Sequence, residues 1–360
     1  MINSIELKKI YQEFLDYFKS NGYYFHDAEP LIPTSDKTLA FTNATIVPLK
    51  KFFSKSYKKP GFVIFQPCLR LWNIKNDNFV GNFTSFFRMV SILVHPEVEF
   101  INVQNEISNY LKNILKIPEG QIIIHSNKTT NDLVGAWLEK YEIVYNQFDN
   151  KFYKWNYGFN NIKGRGVTFF IKTGNKPREL GNFVEIRDKE KVIGYEFGFG
   201  VESCAGIING LENNFDVLFG KDINRKLLDI TCARVIIEQA LWLADYKING
   251  TTRSSIRKVD SELVYSICEF ENGDCSYIRN INWDIFDVEL GVVESVINSL
   301  EAKIDQIKKD IKLLNDYQEY LNKMIELGKK QDWADRKINE YISKNNYYKI
   351  INLINKKTIL

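Results

Sequence analysis

Glu196-Phe197-Gly198-Phe199-Gly200-Val201-Glu202-Ser203 sets two glycines at the join between an apolar run and a helix start. Residues 191–199 read as a strand, Gly198-Phe199-Gly200 closes it, and a helix opens at about 201–210. A helix starting there presents free backbone N–H groups, an arrangement that favours phosphate. Paired glycines equally mark a place where backbone packs closely, and the spacing alone leaves both readings open. Working outward, 167–171 and 181–187 read as strands, with Asp188-Lys189-Glu190 turning the chain into the last one. Further back, 61–65 and 86–94 read as buried strands joined across a long polar loop, 73–82. Helices are expected over 3–20, where Asn3 and Glu6 suggest a capping box, and over 98–117 and 130–140, around a short strand at 122–124. From about 224 the pattern is almost wholly helical. Strands gathered in 60–200 with helices before and after predict an α+β fold with an antiparallel-rich sheet.

Composition narrows the function classes. At 360 residues, 44% of them hydrophobic, the chain can fill the cores of two or three units. Lys and Arg number 48 against 45 Asp and Glu, a net +3 that excludes a polycation held on nucleic acid by bulk charge. Any polyanion must be met by local basic clusters. Five cysteines without a C-x-x-C pair, and His26, His95 and His125 far apart, argue against a zinc site or a disulfide framework. No run of 18 apolar residues is present, and charges interrupt the N-terminal stretch, so neither a membrane span nor a signal peptide is expected. The expectation is a cytoplasmic protein.

The C-terminal third carries a heptad seam. Val293, Ile297, Leu300, Ile304, Ile307, Ile311, Leu314, Leu321 and Ile325 follow steps of four and three, broken at Gln318. A long helix over about 285–327 follows, packed on a helix of its own domain or dimerising as a coiled coil; monomer and helix-mediated dimer both remain open. Residues 301–360 hold 13 basic against 9 acidic side chains, a mildly basic arm.

A second constellation lies near the 73–82 loop. Arg70 ends a strand, Lys75, Asn76 and Asp77 follow, and Phe86-Phe87 opens the return strand. A guanidinium suits phosphate or carboxylate, and a neighbouring aromatic can stack a base. An ordinary surface arginine fits the same residues.

The order of these pieces changes their weight. Thr38 to Ala44, then Cys68-Leu69-Arg70 with Asn76-Asp77 and Val80-Gly81, then Phe86-Phe87-x-Met89, resemble motifs 1 and 2 of the alanyl-tRNA synthetase family, a class II aminoacyl-tRNA synthetase family. Trp155 and Gly158 resemble its W-x-x-G, Glu179-Leu180-Gly181-Asn182 its E-I-W-N, and Glu196 to Glu202 its motif 3, D-x-G-x-G-x-E-R. Asn213 to Asp216 follow as its N-Y-D, and Leu243-Ala244-Asp245 with 253–258 echo its helical tRNA-recognition region. The resemblance covers about residues 3–260.

It implies a class II-type catalytic domain over 1–220 and a helical tRNA-recognition-like domain over 221–360. It also implies roles. Arg70 would hold the ATP α-phosphate and the amino-acid carboxylate, with Lys75 a second catalytic cation. Phe87 would stack adenine beside Met89, and Gly198 and Gly200 would let backbone approach the ligands. Asn182 and Glu196 would bind the α-ammonium, and Trp155 would wall a small side-chain pocket. Arg253, Arg257 and Lys258, with Arg234, would face tRNA. Mg²⁺ would accompany ATP; no zinc or other protein-bound metal is implied.

The departures are specific. The arginine that should close motif 3 is Ser203, the motif 2 lysine falls on Ile74, and its glycines become Trp72 and Asn73. The family's G-P-C-G-P-C is 161–166 here, so that Lys163 or Arg165 could bring charge from another side. Counterparts of the family's proofreading and C-terminal domains are not expected within these 360 residues. Three functions follow: activation of alanine or another small amino acid for transfer to tRNA; a repurposed paralogue using another acceptor or charged tRNA; or a non-catalytic tRNA-binding or regulatory subunit.

Overall fold

The computed structural model describes residues 4–345, apart from 35, 72–82, 146–152, 160, 175, 220–223, 244–247 and 272. Lys75, Ile74 and the 73–82 loop therefore lie outside the described residues, as does Asn3. Two compact units are present: residues 1–255 with 284–287, and 256–283 with 288–360.

Among the described residues the first unit is built on a nine-stranded sheet: β1 (Tyr24–His26), β2 (Gly61–Leu69), β3 (Phe86–Val94), β4 (Ile122–Ser126), β5 (Glu142–Tyr145), β6 (Lys154–Asn156), β7 (Ile162–Thr173), β8 (Lys176–Asp188) and β9 (Lys191–Gly200). Their order is β1-β2-β3-β9-β8-β7-β4-β5, with β6 added on β7. Only β1–β2 and β4–β5 are parallel. The four long central strands are antiparallel, and Gly198 sits opposite Ser91 on one side and Asn182 on the other. The sheet is thus mixed at both edges and antiparallel where the site lies, an α+β architecture.

The helices of this unit are α1 (Ser4–Ser20), α2 (Ile46–Leu49), α3 (Phe100–Asn109), α4 (Val201–Ile208), α5 (Asn214–Leu218), α6 (Arg225–Leu243) and the start of α7 (Gly250–Phe270). Leu7, Ile10, Phe14, Leu15 and Phe18 of α1 are all buried, and Phe14 meets Phe199 of β9 edge-on at 5.4 Å. That stripe at helical spacing is what packs α1 on the sheet. Gly22, at φ +91°, ends the helix in a conformation that suits glycine.

Segment 130–140, expected as a helix, forms short 3₁₀ turns instead. The reason is Gln104 of α3. Its amide donates to the carbonyls of Leu133 and Val134 and accepts from the Ala136 N–H, so those backbone groups are satisfied without an α-helix. Gly135, at φ +50°, lies against that amide, where a Cβ would come within 2.4 Å of Oε1. Likewise α3 ends at Asn109 and passes into a π turn over Tyr110–Ile114, short of the expected 117.

The second unit holds the rest of α7, α8 (Leu290–Glu326) and α9 (Gln331–Asn345). Val293, Ile297, Leu300, Ile304, Leu314 and Leu321 of the seam are buried. Gly328, at φ +94°, turns α8 into α9, and Leu314 and Ile342 form a small core with Ile311, Ile338 and Tyr341. The distal seam is covered within the chain, by α9. No helix among the described residues is long and apolar enough to cross a membrane.

Candidate active site

A pocket of about 400 Å³ opens in the first unit, over β3, β8 and β9 and the first turn of α4. Arg70, Phe87, Met89, Trp155, Asn182, Glu196, Gly198, Gly200 and Ser203 all line it. Nine expected residues, from positions 70 to 203, thus converge on one cavity.

Arg70 is held, not loose. Its Nε donates to the Asn43 carbonyl at 2.8 Å, and its guanidinium lies 4.7 Å from the centre of the Phe87 ring. Nη2 reaches Met89 Sδ at 3.8 Å. Burial lowers its pKa from the ordinary arginine value, while Glu179 and Glu196 pull it back up; guanidinium stays charged under such a shift. It is the one cation among the described residues lining the pocket.

Two carboxylates face it. Burial pushes Glu196 up to about 7, against the Thr45 hydroxyl, which donates to Oε1 at 3.3 Å, the neighbouring Tyr157 hydroxyl and the Arg70 charge. Glu179 is also raised by burial, and is opposed by the Asn182 amide, 3.4 Å away, and by Arg70. Thr168 donates to Asn182 Oδ1 at 2.8 Å, which turns the amide nitrogen toward Glu179. Glu202, the third acidic wall, is neutralised: it accepts from Arg88 Nε at 2.7 Å and from the Arg88 backbone N–H at 2.9 Å. Arg88 Nη1 goes on to the Ile285 carbonyl. One bound cation facing two carboxyls whose charged forms are disfavoured by burial suits a ligand with an ammonium beside a carboxylate or phosphate.

Strand alternation sorts the 161–166 segment. Gly164 and Gly166 face Trp155, which β6 pairs with Gly164; a Cβ at 166 would lie 3.0 Å from the indole and 2.2 Å from the Phe183 carbonyl oxygen. These glycines make room for the indole. Arg165 is tied to Asp132 and Glu185, and lies outside the pocket lining, as does Lys163. Neither supplies charge to the pocket, correcting that expectation.

Gly198 answers to its neighbour strand, since a Cβ there would fall 2.6 Å from Ser91 Cβ. Ser203 has its own fixed partner: Asn214 Nδ2 donates to Oγ at 2.9 Å, and Arg178 donates to Asn214 Oδ1 at 3.2 Å and to the Leu211 carbonyl. With Oγ accepting, the Ser203 proton remains available for another acceptor. Asn214 and Tyr157 also line the pocket. Tyr157 was not singled out from the sequence; its place two residues after Trp155, on the same face, was the available signal.

The expected tRNA-facing residues separate. Arg253, Arg257 and Lys258 are exposed on α7. Arg234 is buried and paired with Glu238 at 2.8 Å, so it presents no charge to solvent, a correction. Asn249 caps α7, accepting from the Thr252 N–H at 2.8 Å.

Residues 9–176 match the family described as tRNA synthetases class II (A). The alanine–tRNA ligase of Vesicomyosocius okutanii is 23% identical over 256 residues, 62% of this chain and 30% of that protein. The enzyme of that name from Legionella pneumophila strain Lens is 25% identical over 244 residues, 58% and 28% respectively. The chain carries a divergent alanyl-tRNA synthetase-like fragment. It spans less than a third of the length of these relatives. The synthetase-like fragment is also similar to solved structures, among them an apo histidyl-tRNA synthetase from S. aureus, at 12% identity and a TM-score of 0.37 over 57% of this chain and 66% of that one. A pyrrolysyl-tRNA synthetase from Desulfitobacterium hafniense gives 11% and 0.36, over 61% and 75%.

Proposed function

We propose that the pocket activates a small amino acid, alanine first among the candidates, with ATP, and passes the aminoacyl group to tRNA in the cytoplasm. The observation that carries this reading is Arg70, held by the Asn43 carbonyl and the Phe87 ring in a pocket that Glu179 and Glu196 also line. In the first step a carboxylate oxygen of the amino acid attacks the α-phosphorus, a P–O bond forms, and pyrophosphate leaves. Arg70 holds the carboxylate and the α-phosphoryl oxygens and stabilises the charge that grows between them. Glu196 and Asn182 hold the ammonium, Trp155 limits the side chain, and Phe87 with Met89 takes the adenine. Gly198 and Gly200 form the floor. In the second step a hydroxyl of the acceptor attacks the carbonyl carbon and AMP leaves.

No group of three His, Cys, Asp or Glu among the described residues could hold a metal ion. In this reading Mg²⁺ arrives with the phosphates rather than in a cage of side chains. Lys75 is assigned as a second phosphate contact, and Arg253, Arg257 and Lys258 as the tRNA-facing set. The catalytic role is assigned to 1–220 and tRNA recognition to 221–360.

Ser203 favours a second reading, in which the same pocket serves a different acceptor or takes an amino acid that is already activated. A neutral hydroxyl bonded to Asn214 stands where the family has a cation for ATP phosphates. Pyrophosphate exchange separates the two. Amino-acid-dependent exchange that falls about 10²–10³-fold in Arg70→Ala supports the first reading. Transfer from a supplied adenylate without exchange supports the second.

A further inference from the structure

Tyr157 lines the pocket beside Glu196, is 5% exposed, and its hydroxyl has no hydrogen-bond partner of good geometry among the described residues. Such an orphaned buried hydroxyl costs stability, which asks for a reason. The ring itself is well seated. It packs edge-on to Phe53 at 5.3 Å and belongs to a core with Ile46, Leu49, Ile64, Leu93, Ile162 and Ile186. Gly164 keeps the space open, for a Cβ there would fall 2.9 Å from the tyrosine oxygen. A phenylalanine would fill the same core without the orphan.

We infer that Tyr157 is a positioning residue for Glu196, its hydroxyl turning to donate to the carboxylate when that group is ionised against a ligand ammonium. The ammonium half of this inference rests on the amino-acid reading of the pocket; the Tyr157–Glu196 half does not. The groups facing Glu196 are Arg70 from the end of β2, Thr45 ahead of α2, Tyr157, and Glu179 from β8 by way of Arg70. Thr45 supplies one donor, at 3.3 Å, to Oε1. An ionised carboxylate has room for several donors, and a buried one with a single long hydrogen bond is poorly satisfied. Tyr157 is the adjacent donor with nothing else to bond. Burial pushes its own hydroxyl well above the ordinary tyrosine value, so it stays a proton donor throughout the working range. A Tyr157 donor thus favours the charged form of Glu196 over the protonated one.

The test is Tyr157→Phe, read first without ligand. The Glu196 carboxyl, identified by its loss in Glu196→Gln, is titrated by ¹³C NMR in both proteins. Removing a donor to the charged form should move its midpoint to higher pH by about one unit, with thermal stability unchanged or raised. An unmoved midpoint overturns the inference, whatever the pocket binds. The second reading is calorimetry at pH 7 with L-alanine, glycine and L-serine. The variant should bind them about tenfold more weakly, whereas lactate, which has no ammonium, should bind both proteins alike. Weakening confined to serine would mean that the hydroxyl serves a side chain, and would overturn the inference. If none of these amino acids binds the wild type, the amino-acid reading falls and the ammonium half falls with it, while the titration still decides the other half.

Discussion

Arg70 and Ser203 between them set what this pocket can do. Arg70 is the cation, and its Phe87 and Asn43 contacts fix its plane. Ser203 is committed to Asn214, which Arg178 holds in turn. Ser203→Arg therefore has to displace Asn214 before a guanidinium can enter, and this predicts a lowered melting temperature along with any gain in ATP affinity. A gain in ATP affinity with no loss of stability would contradict the Asn214 lock. Glu196 makes a prediction about pH. A glutamate that ionises near 4.5 when unfolded and about 7 when folded leaves the folded protein holding an extra proton between those values. Stability from this group is therefore lost as pH rises from about 4.5 to 7. Glu196→Gln should gain on the order of 1–2 kcal/mol in urea unfolding at pH 8 and close to nothing at pH 4.5. An equal gain at both values would show that the carboxyl is not held protonated by burial.

At the level of elements, Gly164 and Gly166 of β7 leave the space that the Trp155 side chain occupies. Gly166→Ala would drive a Cβ to 2.2 Å from the Phe183 carbonyl oxygen, so β7 and β8 must part or the Trp155 ring must move. A loss of roughly 3 kcal/mol or more follows, with quenched or shifted tryptophan fluorescence as the sign that the indole has moved. On α7, reversing Arg257 and Lys258 to glutamate should weaken tRNA binding and flatten its salt dependence, by about one in slope for each phosphate left without its cation. Unchanged binding would remove this face from the tRNA assignment. The strands at 61–65, 86–94, 122–124, 167–171, 181–187 and 191–199 were legible as short apolar runs bounded by turn residues, and the short β5 and β6 were not. Helices α1 and α8 were legible because their apolar side chains recur at periods near 3.6 and 3.5. Segment 130–140 was not, because a single side chain from elsewhere, Gln104, satisfies its backbone. Arg165 was misplaced for a related reason. Its sequence neighbours Gly164 and Gly166 line the Trp155 face, and alternation sends Arg165 to the other side, where Asp132 and Glu185 wait.

At the scale of the whole chain, nine residues spread from 70 to 203 meet in one cavity of about 400 Å³. Order in the sequence carried that much, since the resemblance ran along the chain in register. What order could not carry was the state of each group: Glu202 neutralised by Arg88, Ser203 locked, Arg234 paired with Glu238. These depend on contacts between segments far apart in sequence. The distal α8 seam, which suits a partner helix from any source, is covered by α9 of the same chain. Whether this pocket forms an adenylate is decided by amino-acid-dependent ATP–pyrophosphate exchange, run across all twenty amino acids with wild type, Arg70→Ala and Glu196→Gln. Exchange is expected with a small amino acid, reduced about 10²–10³-fold without Arg70 and weakened in amino-acid KM without the Glu196 charge. Exchange with none of the twenty at high protein concentration, or exchange that ignores both substitutions, would contradict that expectation.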